Sequence, residues 1–141
     1  MGDEPVSGNK AGTKTGNTAG TDAEDEAVLR GVLDRWQAAV DAHEPEQVAA
    51  VFTEDAIFQG LHPYSVGRQG VADYYASQPL GMAVVYRILE TRRLAPDLVL
   101  GYLNVEFSFT DRPTLPLFLA VLAVRTPEGD RIAHYQISKL G

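Results

Sequence analysis

The strongest constraint on this chain is a change of period past its midpoint. From Met82 onward almost every residue falls in one of four runs rich in Val, Leu, Ile, Tyr and Phe: residues 82–95, 98–110, 115–126 and 131–140. They are separated by Pro96-Asp97, by Asp111-Arg112-Pro113 and by Pro127-Glu128-Gly129-Asp130, the residues of tight turns. That spacing predicts four consecutive antiparallel strands. Upstream, Leu29, Val32, Leu33, Trp36, Ala39 and Val40 instead recur at i, i+3, i+4, i+7, the buried face of one long helix ending near His43. Helices first and strands afterwards is the α+β order, with the helices covering one face of a sheet.

Thr21-Asp22-Ala23-Glu24 predicts a capping box at the start of the long helix, with Thr21 as the cap, and acids at 22, 24, 25 and 26 suit the positive end of its dipole. Glu44-Pro45-Glu46 restarts a short helix with Val48, Val51 and Phe52 as its apolar stripe. Residues 49–75 then change structure three times. A turn is expected at Thr53-Glu54-Asp55, a brief strand over residues 56–59, a loop punctuated by Gly60, Pro63, Gly67 and Gly70, and a third helix on Val71, Tyr74 and Tyr75. Pro79 and Gly81 close that helix.

The run 98–110 carries apolar side chains at both parities. One face is Val99, Gly101, Leu103, Val105, Phe107 and Phe109, and the other Leu98, Leu100, Tyr102, Asn104, Glu106 and Ser108. If helices cover one face, the other also needs cover, which favours a homodimer through the sheet.

A length of 141 residues predicts one domain, residues 21–141, preceded by a Gly- and Thr-rich tail, residues 1–20, too poor in apolar residues to order itself. With 12 Lys and Arg against 19 Asp and Glu, the chain is acidic, which argues against nucleic acid or an anionic membrane as a partner. The excess is local: residues 21–55 hold ten acids and two bases, the mark of a solvated helical face. There is no cysteine, hence no disulfide or thiolate chemistry. The longest apolar run, residues 115–124, is about half of what a helix needs to span a bilayer. No secretory signal stands at the N-terminus, so a cytoplasmic protein is expected.

The order of these segments, with VFTEDAIF after a short helix, GRQGVADYY opening the next, and a final GDRIAHYQIS, resembles the nuclear transport factor 2-like superfamily. It is most similar to the SnoaL-like branch, which includes polyketide cyclases and small proteins of antibiotic biosynthesis. The resemblance covers roughly residues 22–140. It implies a curled, mostly antiparallel sheet wrapped on the long helix into a cone with an apolar pocket, commonly dimeric through the sheet. Steroid isomerases of the superfamily carry a catalytic carboxylate at a position that falls near Gly60, where this chain has Gln59-Gly60 and no acid before Asp73. Their mechanism is therefore not expected here. The last strand also departs from the common pattern, with Asp130 in place of a frequent aromatic and Gln136 in place of a second histidine.

Two residues are candidates for acid–base catalysis. Glu106 stands between Val105 and Phe107; enclosed in a pocket its pKa would rise into a useful range, and on a solvated or dimer face it would pair with an arginine such as Arg87. His134 is either a proton shuttle or a hydrogen-bonded core histidine. The aromatics Trp36, Phe58, Tyr64, Tyr74, Tyr75, Tyr86 and Phe118 are numerous enough to line an apolar cavity; all of these but Tyr74 are the ligand-wall candidates, with Tyr102 and Asn104 beside Glu106 and His62 at the pocket mouth. Histidines at 43, 62 and 134 have no metal-site spacing, no Gly-Lys-Ser/Thr follows the glycine loop, and Ser65 lacks a nucleophile-elbow context. Neither metal nor cofactor is expected. The function expected is a cofactor-independent enzyme of polyketide-type natural-product biosynthesis acting on an apolar small molecule, the alternatives being a non-catalytic binder or a dimeric interaction module.

Overall fold

Asp22, rather than Thr21, caps the first helix. In the computed structural model, which describes residues 22–139, the Asp22 carboxylate accepts from the amides of Glu24 and Asp25. Thr21 and the expected tail, residues 1–20, lie outside the described residues, as does Leu140. Helix α1 (Ala23–Asp41) buries the predicted face of Leu29, Val32, Leu33, Trp36, Ala39 and Val40. It ends in a left-handed residue. His43 has φ of 53°, its amide donates to the Val40 carbonyl, and the Glu44 amide reaches back to Ala39. This is the paired closure of a Schellman motif, with histidine where glycine is usual.

Helix α2 (Pro45–Ala50) begins on Pro45 and stops before Phe52, which opens β1 (Phe52–Gln59) instead of completing the helical stripe. The expected turn at residues 53–55 is a bulge inside that strand. Phe52 pairs with Ile132 and Ile57 with His134, so β1 spends five steps where its partner spends two. A hydrogen bond from Thr53 Oγ1 to Asp55, and the Arg68 guanidinium on the Phe52 carbonyl, hold the bulge. After β2 (Ser65–Val66) and α3 (Arg68–Ala76) come β3 (Ala83–Ala95), β4 (Leu98–Ser108), β5 (Leu115–Thr126) and β6 (Gly129–Ser138).

These strands make one six-stranded sheet in the order β2-β1-β6-β5-β4-β3, antiparallel throughout except where β1 runs parallel to β6. The fold is thus α+β, a long helix and two short ones against one face of a curled sheet. On β4 the buried side chains are Val99, Leu103, Val105 and Phe107, with Gly101 between them. A Cβ on Gly101 would stand 2.8 Å from a Leu29 methyl, which is how closely α1 lies on the strand. Bulges in β3 and near Ala133 in β6 curl the sheet around α1. The core is one cluster under α1, with Trp36, Phe52, Phe58 and Tyr135 among its largest side chains.

Candidate functional site

The open end of the curled sheet lies where β1 hands over to its loop, α3 passes above, and the ends of β4, β5 and β6 converge. Here Leu61, Tyr74, Phe107, Leu117, Tyr135 and Ile137 surround a cavity of about 30 Å³. Gln78 and the two tyrosine hydroxyls are the polar groups in a wall otherwise built from aliphatic, aromatic and methionine side chains. That volume admits a water molecule or two and no organic ligand. Its cover is lightly held: Leu61 is 44% exposed and Tyr64 68%.

Two aromatic residues on α3 build the site from one turn of helix. Tyr75 is buried and Tyr74 half-buried, their rings in edge contact at 5.1 Å. Tyr74 lies flat over Gly60, where a Cβ would meet the phenol ring at 2.5 Å, and its hydroxyl accepts the Leu61 amide. The absence of a side chain at Gly60, read from the sequence as a missing carboxylate, is the condition for this tyrosine. The His62 ring stands edge-on to Tyr74 at 5.4 Å, in the exposed loop at the mouth.

Behind the cavity runs a buried chain of polar groups. Trp36 Nε1–H donates to the Tyr75 hydroxyl at 3.1 Å, which lies 3.3 Å from the Tyr135 hydroxyl. Phe58 stacks on Tyr135 at 4.6 Å and meets Tyr74 and Tyr75 at their edges, contacts each worth about 0.5–1.5 kcal/mol beyond buried area. The chain holds three protons, on Trp36, Tyr75 and Tyr135, and makes two hydrogen bonds. With Tyr75 donating to Tyr135, the Tyr135 proton is left without an acceptor among the described residues, at the cavity wall. The Tyr74 proton is likewise uncommitted, since that hydroxyl only accepts. Burial raises the pKa of Tyr74, Tyr75 and Tyr135, so all three remain protonated donors at neutral pH. Among the described residues the cavity lining includes no carboxylate or imidazole. The arrangement can donate to a ligand oxygen.

The residues nominated from sequence fall elsewhere. Glu106 is exposed on the opposite face of the sheet, and its apolar neighbours Val105 and Phe107 point away from it into the core. Strand alternation, rather than enclosure, explains its apolar flanks, and it forms no ion pair with Arg87 among the described residues. His134 is also on the outer face, half-buried, with Nε2 3.2 Å from the Gln136 amide oxygen. The bulge at Ala133 lets both Ile132 and Tyr135 face inward and leaves His134 outside. Tyr102 and Phe118 stack on that outer face at 5.6 Å, with Asn104 beside them. Tyr86 bonds Asp34 beneath α1, and burial followed by that carboxylate pushes its hydroxyl up to about 12. Trp36, Phe58 and Tyr75 stand directly behind the cavity wall. Tyr135 was missed, although its alternation with Ile137 put it on the inward face; Tyr74, one of the aromatics numerous enough to line a cavity, stands in the wall.

Fold and site together define a cone-shaped α+β domain closed around one small apolar mouth. A family model described as a SnoaL-like domain matches residues 21–97, more than half the chain, and the chain belongs to that family. Among solved structures it is similar to a domain with a cystatin-like fold from Nostoc punctiforme, at 19% identity over 86% of this chain and 81% of that one, with a TM-score of 0.72. A ketosteroid isomerase-like protein from Erwinia carotovora atroseptica shares 21% identity over 84% and 98% of the two chains, TM-score 0.67. An NTF2-like protein from Novosphingobium aromaticivorans shares 17% over 84% and 83%, TM-score 0.65. At these identities the likeness is one of fold. No curated protein matches the chain. Among the described residues no helix is long and apolar enough to cross a membrane.

Proposed function

We propose that the domain binds an apolar small molecule in the mouth of the cone and fixes it by one ligand oxygen, a carbonyl or ether, accepting from the Tyr74 and Tyr135 side. The observation that carries this reading is the surplus hydroxyl proton in an otherwise apolar wall. A pocket of apolar walls with one or two placed donors is the usual form of a small-molecule site. The finer reading, a polyketide-type intermediate of natural-product biosynthesis, rests on the family resemblance and on the aromatic lining. Entry of such a ligand requires Leu61, His62 and Tyr74 to move aside, because the resting cavity is only about 30 Å³.

The same geometry favours binding, with polarisation of a ligand carbonyl as the available chemistry, over the general acid–base catalysis expected of Glu106 and His134. We assign those two residues to the outer face, which a second copy of the chain covers. Val85, Tyr102, Ile57 and Val66 are 57%, 42%, 45% and 60% exposed there, around the Tyr102–Phe118 stack. A solvated antiparallel sheet would carry polar side chains on that face.

An amide chemical-shift titration of the whole chain with a hydrophobic aromatic ketone locates the site. Shifts centred on Leu61, Tyr74, Tyr135 and Ile137 are expected. Shifts centred on Tyr102, Glu106 and His134 would place the ligand on the outer face and overturn the assignment.

A further inference from the structure

Two clefts flank α2 on the outside of the cone, away from the tyrosine-lined mouth. One, of about 490 Å³, lies between the end of α1 and α2 and is bordered by Arg35, Glu44, Val51 and Arg131. The other, of about 300 Å³, lies between α2 and α3 and is bordered by Glu46, Arg68, Gln69, Glu128 and Arg131. They share Ala50 and Arg131, so the Arg131 side chain stands where the two meet.

The guanidiniums here hold only neutral acceptors. Arg35 Nη2 and Arg131 Nη1 both donate to the Asp130 carbonyl oxygen, at 2.7 and 2.9 Å, and Arg35 Nε donates to the Gly31 carbonyl at 3.2 Å. Among the described residues Arg131 Nε, which is buried, has no hydrogen-bond partner, and Arg68 has the Phe52 carbonyl alone, at 2.8 Å. None of the three has a carboxylate within ion-pair distance among the described residues, and the Asp130 carboxylate is turned toward Arg125 at 3.8 Å. Partial burial and then the neighbouring Arg131 charge lower the Arg35 pKa, with Asp130 opposing them. Like charges this close, at the residue the two clefts share, are stabilised by an anion that accepts from both guanidiniums.

We propose that Arg35 and Arg131 form the head of a second binding site, for a compact oxyanion, a phosphate or a carboxylate carried by a small molecule, with Arg68 as a further contact along the second cleft. The forked donors of two arginines suit either oxyanion. Glu44, Glu46 and Glu128 stand exposed on the rims, and the chain as a whole carries a formal charge of −7. These charges repel an extended polyanion and select a small anion that reaches only the arginine head.

Calorimetric titration of the full chain with inorganic phosphate and, separately, with succinate tests the proposal. Saturable binding of at least one is expected, weakened about tenfold or more in Arg131→Gln and in Arg35→Gln, the loss of a charged hydrogen bond. It should be unchanged in Arg112→Gln, whose guanidinium is already held by Asp111. Tighter phosphate assigns the site to phosphate esters, and tighter succinate to carboxylates. Arg35 is exposed, so its variant keeps the test open if Arg131→Gln does not fold. Absence of saturable binding by either anion, or binding that both glutamine variants retain in full, overturns the proposal.

Discussion

Tyr75 is the residue on which the buried polar chain turns, because it accepts from Trp36 and reaches Tyr135. Tyr75→Phe leaves both the indole N–H and the Tyr135 hydroxyl without partners, whereas Tyr135→Phe removes one bond and leaves Trp36 satisfied. Urea denaturation should therefore show the Tyr75 variant losing about 2–3 kcal/mol and the Tyr135 variant about 1 kcal/mol. Equal losses would mean that the two hydroxyls do not act as a chain. Asp25 makes a second residue-level test. Its carboxylate is buried and bridged to Arg93 at 2.8 Å, yet burial, together with the nearby Asp22 and Glu24 charges, outweighs the bridge and its pKa is raised. A carboxyl raised in the folded state binds more protons there than in the unfolded chain, so its contribution to stability falls as pH rises above the unfolded value of about 3.9. The stability of the natural protein minus that of Asp25→Asn should decline from pH 4 to pH 6. A difference that grows with pH would show that the Arg93 bridge dominates. Neither residue's role was legible in the sequence, because burial and partner are properties of chains 39 or 68 residues apart in number.

The elements were more legible, and where they were misread the cause was local. Apolar periodicity located α1 and the four long strands because each buries one face along its whole length. The turn expected at Thr53-Glu54-Asp55 is a bulge, since polar residues serve a bulge and a turn equally well. The single extra residue at Ala133, which alternation along the strand does not reveal, puts both Ile132 and Tyr135 on the inner face and His134 on the outer one. At the end of α1, His43 occupies a left-handed position that glycine takes without steric cost. His43→Gly should raise stability by about 1 kcal/mol, read as a higher urea midpoint at unchanged slope. A fall would show that the imidazole contributes more than its backbone costs.

At the scale of the molecule, a curled sheet with one face on α1 leaves two surfaces to explain, the mouth of the cone and the outer face. The outer face was visible in the sequence as apolar residues at both parities of β4, and the cover proposed for it is a second copy of the chain. Sedimentation equilibrium should give a dimer, and Tyr102→Glu, which places a charge in the Tyr102–Phe118 stack, a monomer that is still folded. A monomeric natural protein would contradict that assignment. The mouth was read from the glycine loop around His62, but its wall could not be told from the core, because core and pocket aromatics have the same composition. The most direct measurement of the central claim compares the affinity of 2-acetylnaphthalene with that of 2-ethylnaphthalene, which has the same shape but no oxygen. The ketone should bind about fivefold or more tightly, and Tyr74→Phe/Tyr135→Phe should erase the preference. Equal affinities in the natural protein, or a preference that survives the double substitution, would contradict it.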